Sequence, residues 1–332
     1  MHTQEMTQSD TTSSAQGPQG RPTVLLTGPT SGIGEAAFQQ LLEHPSRPSI
    51  VLLGRDRDRL ESAASRARSL GLTAHAVIAD LADLDSVDGA VEVVRGMVTS
   101  GDIPPIDVAV LNAGLQRSDR HGTSTQGYEL TFAVNVLAQH ALLRGIEEAL
   151  GPRAHVVLMG SSTHRGKRAS FGLVPDPQWA APDELATPAT GPRPGTREPG
   201  GTAYATSKLA LVTLSHDWAE RLGASGRRLN VYDPGLVAGT GLGREMRPYE
   251  YWVWRRVMPA LSLLPGATTR RRTARHLVSL ALGDTHASLR DGYVEIGRVT
   301  RAEAITFDPA RRRDLWQWCE EALRNHTSRQ RT

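Results

Sequence analysis

One stretch near the amino end restricts the fold more than any other. Thr23-Val24-Leu25-Leu26-Thr27 reads as a short buried strand, and Gly28-Pro29-Thr30-Ser31-Gly32-Ile33-Gly34 follows it directly. A helical pattern then runs from about Glu35 to Glu43. A glycine-rich turn between strand and helix lets the backbone approach a phosphate, and the helix start supplies N–H donors and a positive dipole end. A strand that feeds a helix in this way belongs in a parallel sheet, whose next strand is reached by crossing over.

The alternation continues along the chain. Further strands are predicted at Ser49–Leu53, Ala74–Ile78, Ile106–Leu111, His155–Met159, Leu229–Tyr232 and Tyr293–Ile296. Helices are predicted at Asp58–Leu70, Leu84–Val98, Tyr128–Leu150, Thr202–Leu222, Thr273–Leu282 and Ala310–Arg324. The expectation is an α/β fold: one doubly wound parallel sheet of about seven strands with helices on both faces. Ligands of such sheets bind beyond the carboxyl ends of the strands. Two stretches break the rhythm and are expected to be substrate loops or a lid, Gly166–Gly201 and Gly239–Gly266. The second carries Tyr249, Tyr251, Trp252 and Trp254. Residues 1–20, rich in Thr, Ser, Gln and Gly, are expected to be a disordered tail. A single domain is expected over 21–326, and a second tail over 327–332.

Composition narrows the chemistry. A net charge of +3, with 22% charged residues of both signs, leaves no extended basic surface for nucleic acid. The short clusters Arg270–Arg272 and Arg311–Arg313 read as solvated helix ends. Cys319 is the only cysteine, so neither a disulfide framework nor a thiolate metal site is available. The histidines show no metal-binding spacing, and no metal is expected. No run is long and apolar enough to span a membrane, and a cytoplasmic setting is expected.

Tyr204 and Lys208 carry the catalytic signal. They are four apart in the predicted helix Thr202–Leu222 and share a face. A cation beside a phenol favours phenolate and would lower a tyrosine pKa from its usual value of about 10 toward the range of a general acid/base. Among 38 basic residues only Lys167 and Lys208 are lysine. Arginine cannot share or tune a proton, whereas lysine can.

With these residues in place, the chain resembles the short-chain dehydrogenase/reductase family over about residues 22–300. Thr27-Gly-x-x-x-Gly32-Ile33-Gly34 resembles its cofactor fingerprint, and Leu111-Asn112-Ala113-Gly114 its signature after the fourth strand. Asp80-Leu81, Asn135, Ser161-Ser162, Tyr204-x-x-x-Lys208 and Asp233-Pro234-Gly235 follow in the family's order. Ser162-Thr163-His164 and the run Pro234–Glu245 are most similar to the retinol-dehydrogenase and protochlorophyllide-reductase branch.

The resemblance implies a Rossmann-type domain and hydride transfer with a nicotinamide cofactor. It implies catalytic roles for Asn135, Ser162, Tyr204 and Lys208, with Ser161 as the less favoured serine. Cofactor contacts are implied at Gly28, Thr30, Ser31, Gly32, Ile33, Gly34, Asp80, Leu81, Asn112, Ala113, Gly114, Tyr204, Lys208, Pro234, Gly235, Val237 and Thr240. Asn112 is equally placed to brace the end of the fourth strand. Arg55, after the second strand, suits the 2′-phosphate of NADP, while Asp56 is expected to cap the next helix. NADP(H) is therefore expected in preference to NAD(H).

The reaction expected is oxidation or reduction at a carbonyl/alcohol of an apolar small molecule. Reduction of a carbon–carbon double bond is the alternative, and a non-catalytic cofactor-binding regulator the alternative of another class. A homodimer through the two long helices is a further expectation.

Overall fold

The computed structural model of the chain describes residues 20–170, 172, 174–237 and 267–330. The expected tail up to residue 19, the Gly239–Gly266 stretch and Thr240 lie outside the described residues.

Strands β1 (Thr23–Thr27), β2 (Ser49–Gly54), β3 (Ala74–Ile78), β4 (Ile106–Leu111), β5 (Leu150–Met159), β6 (Arg228–Asp233), β9 (Gly292–Glu295) and β10 (Arg298–Thr300) form one sheet in the order β10-β9-β6-β5-β4-β1-β2-β3. Neighbours pair in parallel, except that β10 runs antiparallel to β9. The sheet thus has eight strands rather than about seven. The eighth, Arg298-Val299-Thr300, is exposed throughout and lacks the buried apolar run that marks the other strands. It returns on β9 through Ile296 and Gly297, both at positive φ (47° and 81°), the twist a tight hairpin requires. A second, two-stranded sheet joins β7 (Leu236–Val237) to β8 (Ala267–Thr268).

Side chains alternate across the sheet, so two cores form. Val24 and Leu26 of β1 pack with Ile50 and Leu52 beneath α1 (Gly32–Leu42), α2 (Arg57–Ser69) and α8 (Arg270–Leu282). Leu25, Val51 and Ala109 face the other side, with α3 (Leu84–Ser100), α5 (Ala138–Ile146) and α7 (Glu198–Gly223). The central strands are buried on both faces and read as continuous apolar runs, as parallel strands should.

The helix predicted over Tyr128–Leu150 is interrupted. It begins as α4 (Leu130–Phe132), passes through a π-helical turn at Ala133–Leu137, and continues as α5. The Gly166–Gly201 stretch is less irregular than its composition suggests. It contains α6 (Pro182–Ala186) and the first residues of α7. Each of these helices carries a proline in its first two positions, where the missing N–H costs nothing.

The last helix, α9 (Pro309–Gln330), reaches beyond its expected end at Arg324. It lies across α5 and α7, the two helices expected to supply a dimer face. Trp316 meets His140 and Trp218 at centroid distances of 4.9 and 5.1 Å, and Trp318 meets Phe132 edge-on at 5.5 Å.

Candidate active site

A cleft of about 1270 Å3 opens at the carboxyl ends of β1, β2, β4, β5 and β6. It is the place the topology offers, because the chain leaves each of these strands there.

The turn after β1 forms one end. Gly28 and Gly32 have φ of +66° and +62°, and both line the cleft. Gly34 is at the close approach of α1 to β1, where a Cβ would run into the Gly28 carbonyl. Thr30, Ser31 and Ile33 complete this wall. The first N–H groups of α1 lack partners within the helix and are directed to its open end.

Asn112 braces this turn. Its Nδ2 donates to the Thr27 carbonyl at 2.9 Å, while Ala113 N donates to Thr27 Oγ1 at 2.8 Å. These bonds join β4 to β1 and place Ala113 and Gly114 along the cleft floor. Asp80 stiffens the turn after β3 by accepting from Ala82 N at 3.0 Å, and Leu81 follows it into the cleft. Pro234, Gly235 and Val237 line the opposite wall.

At the end beside β2, Arg55 and Arg59 both line the cleft. The Arg59 guanidinium donates to the Thr30 carbonyl. Asp56 is occupied as the cap of α2, its Oδ1 accepting from Arg59 N at 3.1 Å. A glycine turn at a helix start, a long floor and two cations at one end fit a nicotinamide dinucleotide. Arg59 escaped the sequence reading. It is four residues on from Arg55, one helical turn away, and that spacing is the signal that could have found it.

Tyr204 and Lys208 reach the cleft from α7. The Lys208 ammonium is buried and donates to the Met159 carbonyl at 2.8 Å. It lies 5.8 Å from the Tyr204 ring centroid. The expected lowering of the phenol pKa is not what dominates here: burial pushes Tyr204 up to about 12, against a hydrogen bond from Ser161. Burial also brings Lys208 down to about 8. Desolvation disfavours charge on either group, and it outweighs the attraction between ammonium and phenolate.

Both serines line the cleft, and Ser161, rather than the expected Ser162, is the one that acts on the Tyr204 phenol, opposing the rise that burial causes. Thr163 Oγ1 donates to Ser161 Oγ at 3.0 Å, which leaves the Ser161 proton for the phenol. Ser162 is buried, lines the cleft and begins the 3-10 turn Ser162–Arg165.

Asn135 does not line the cleft. It sits in the π-helical turn, where its Oδ1 accepts from Leu115 N at 2.9 Å and its Nδ2 donates to Leu115 O at 2.8 Å and Ser207 Oγ at 3.0 Å. Its amide clamps the segment that follows Gly114, which makes it a support for the cleft floor. The described residues contain no group of three or more potential metal ligands.

The family model described as short chain dehydrogenase matches residues 22–172. The proposed daunorubicin C-13 ketoreductase DnrU of Streptomyces sp. (strain C5) is 33% identical over 302 residues, covering 89% of this chain and 90% of that protein. Retinol dehydrogenase 13 of Homo sapiens is 30% identical over 224 residues, covering 67% of this chain and 60% of that protein. Among solved structures, a blue fluorescent protein from a metagenomic library in complex with NADPH aligns with a TM-score of 0.59 at 24% identity, covering 82% of this chain and 94% of that one. A short chain dehydrogenase from Burkholderia cenocepacia J2315 in complex with NADP aligns equally well, with a TM-score of 0.59 at 23% identity over 82% and 94% of the two chains. The two structures speak to the fold alone.

Proposed function

The chain belongs to the short-chain dehydrogenase/reductase family, within its retinol-dehydrogenase-like branch, and from that premise we propose an NADP(H)-dependent oxidoreductase that interconverts a carbonyl and an alcohol on an apolar small molecule. The observation that carries the proposal is the convergence of Ser161, Tyr204 and Lys208 on the cleft that begins at the glycine turn.

A reduced nicotinamide cofactor, held between the glycine turn and the Pro234–Val237 wall, would supply the hydride for the carbonyl carbon. Ser161 donates to the carbonyl oxygen and holds it against Tyr204. Tyr204 gives that oxygen its proton as charge develops there. Lys208, held in place by the Met159 carbonyl, stabilises the phenolate left behind. The glycine turn, Asp80, Leu81, Asn112, Ala113, Gly114 and the Pro234–Val237 wall bind and orient the cofactor. Asn135 acts through the floor it supports. Thr240, outside the described residues, keeps its expected role as a cofactor contact.

Arg55 and Arg59 favour NADP(H) over NAD(H): two guanidinium groups can pair with a 2′-phosphate, and the nearby acid Asp56 is turned to its helix cap. Carbonyl chemistry is favoured over reduction of a carbon–carbon double bond because one relative is named for a ketone and another for an alcohol. We propose a monomer, since α9 occupies the face that a dimer would use. A cytoplasmic setting agrees with a lone buried Cys319. The test is NADPH oxidation across a panel of apolar ketones, followed by product analysis with 4-deuterated NADPH. Deuterium on a carbinol carbon supports the reading. Deuterium on a former alkene carbon, or tight NADPH binding without turnover on any ketone, would replace it.

A further inference from the structure

Behind the cleft lies a buried acid that the mechanism above does not use. Asp233, the last residue of β6, has no exposed surface. Its Oδ2 accepts from the Tyr293 hydroxyl at 2.7 Å and its Oδ1 from Gly235 N at 2.9 Å. Both are neutral donors. The nearest arginine, Arg165, is matched by Glu295 at 2.7 Å and lies over the Tyr293 ring at 4.8 Å. His164 is also close, 3.3 Å from the Tyr293 hydroxyl. It is neutral: its Nε2 accepts from Glu303 N at 3.2 Å, so Nδ1 carries the proton and donates it to the Ser161 carbonyl at 2.7 Å. Tyr232, on the same strand, directs its hydroxyl to Thr273 instead. On this side, among the described residues, no cation pairs directly with the Asp233 carboxylate.

The cleft side supplies one. Met159 pairs in register with Tyr232, the residue before Asp233, and Lys208 donates to the Met159 carbonyl. The carbonyl that holds Lys208 therefore belongs to the residue paired with the neighbour of Asp233. It is buried too, and the Met159 carbonyl is its one hydrogen-bond acceptor among the described residues. A buried ammonium and a buried carboxylate each lose hydration, and each alone would favour its neutral form.

We propose that Asp233 is the buried counter-anion of Lys208, a positioning residue that keeps the ammonium charged beside Tyr204. The proposal rests on the reading of Tyr204 and Lys208 as the proton-handling pair. The electrostatics agree in sign. Asp233 is the charged group that acts on both, opposing the loss of the Lys208 proton and raising Tyr204. Burial lifts Asp233 itself to about 6, against its bonds to Tyr293 and Gly235, so above that pH it is an anion.

Lys167 and Lys208 are the only lysines, which makes a direct test available. Full-length protein labelled with 13Cε-lysine gives two side-chain signals, and Lys167→Arg leaves that of Lys208. The pH titration of this signal is compared between Asp233→Asn and the parent, each saturated with NADP+. Removing a nearby anion disfavours the ammonium, so the Lys208 midpoint should fall by about one pH unit or more. Asp233→Ser, which keeps an oxygen for the Gly235 N–H, should shift it the same way and serves if the Asn variant does not fold. An unchanged midpoint in a folded variant overturns the proposal. Near-parental turnover of Tyr204→Phe would instead overturn the catalytic reading and leave the titration result standing.

Discussion

The Lys208 ammonium on α7 is joined to the Met159 carbonyl on β5 by a 2.8 Å hydrogen bond. This bond ties the helix that carries Tyr204 to the strand that ends just before Ser161. It is one of the buried contacts that fix the distance between the two hydroxyl groups.

That geometry separates the adjacent serines. Ser161→Ala should lower kcat by about 10²–10³-fold, the usual effect of losing one hydrogen-bond donor to a developing oxyanion. Ser162→Ala should stay within a few-fold of the parent, because Ser162 does not meet Tyr204. Steady-state kinetics of the two variants checks the assignment, and the reverse order would restore Ser162.

Cofactor choice is expected to reside in Arg55 and Arg59. Replacing both by alanine should raise the KM for NADPH about tenfold or more and leave that for NADH nearly unchanged. The estimate follows from the loss of charge-assisted bonds worth about 1.5–3 kcal/mol each. Equal losses for both cofactors would show that the arginines only support the turn through Thr30.

His164 should make the protein acid-sensitive. Burial brings its pKa from 6.5 to about 4. The unfolded chain then binds a proton below about pH 6.5 that the folded chain refuses, so stability is complete above that pH and falls between 6.5 and 4. The loss from this one group is on the order of 3 kcal/mol. His164→Asn, whose amide can still donate to the Ser161 carbonyl, should show a shallower decline in urea-unfolding free energy over that range. Parallel slopes would refute the assignment.

Oligomeric state follows from α9. Trp316 and Trp318 cover α5, α7 and Phe132, so the full chain should sediment as a monomer. A stable dimer by sedimentation velocity would require a different face from the one expected.

What was legible in the sequence was whatever depended on periodicity or on side-chain chemistry at fixed spacing. The central strands announced themselves as apolar runs, and the glycine turn, Asn112 and the Tyr204–Lys208 pair lie where their pattern put them, around one cleft. What was hidden depended on orientation. Nothing in Ser161-Ser162 says which hydroxyl acts on Tyr204, since that depends on how the turn after β5 is folded. The supporting position of Asn135 was hidden as well, because its π-helical turn and its clamp on Leu115 are three-dimensional facts. Strand β10 was missed because three exposed residues carry no burial signal, and α6 because its proline looked like a breaker rather than a first-turn residue. Asp233 was read only as the first residue of Asp-Pro-Gly. Its burial beside Tyr293 gives it a separate meaning.

The central claim is that Tyr204 supplies the proton that accompanies hydride transfer. Tyr204→Phe keeps the ring and removes only the hydroxyl, so NADPH affinity, measured by fluorescence titration, should be preserved. Turnover of a ketone that the parent reduces should fall by about 10²–10⁴-fold, the range expected for losing a general acid. Turnover within a few-fold of the parent, with NADPH bound normally, would contradict the account.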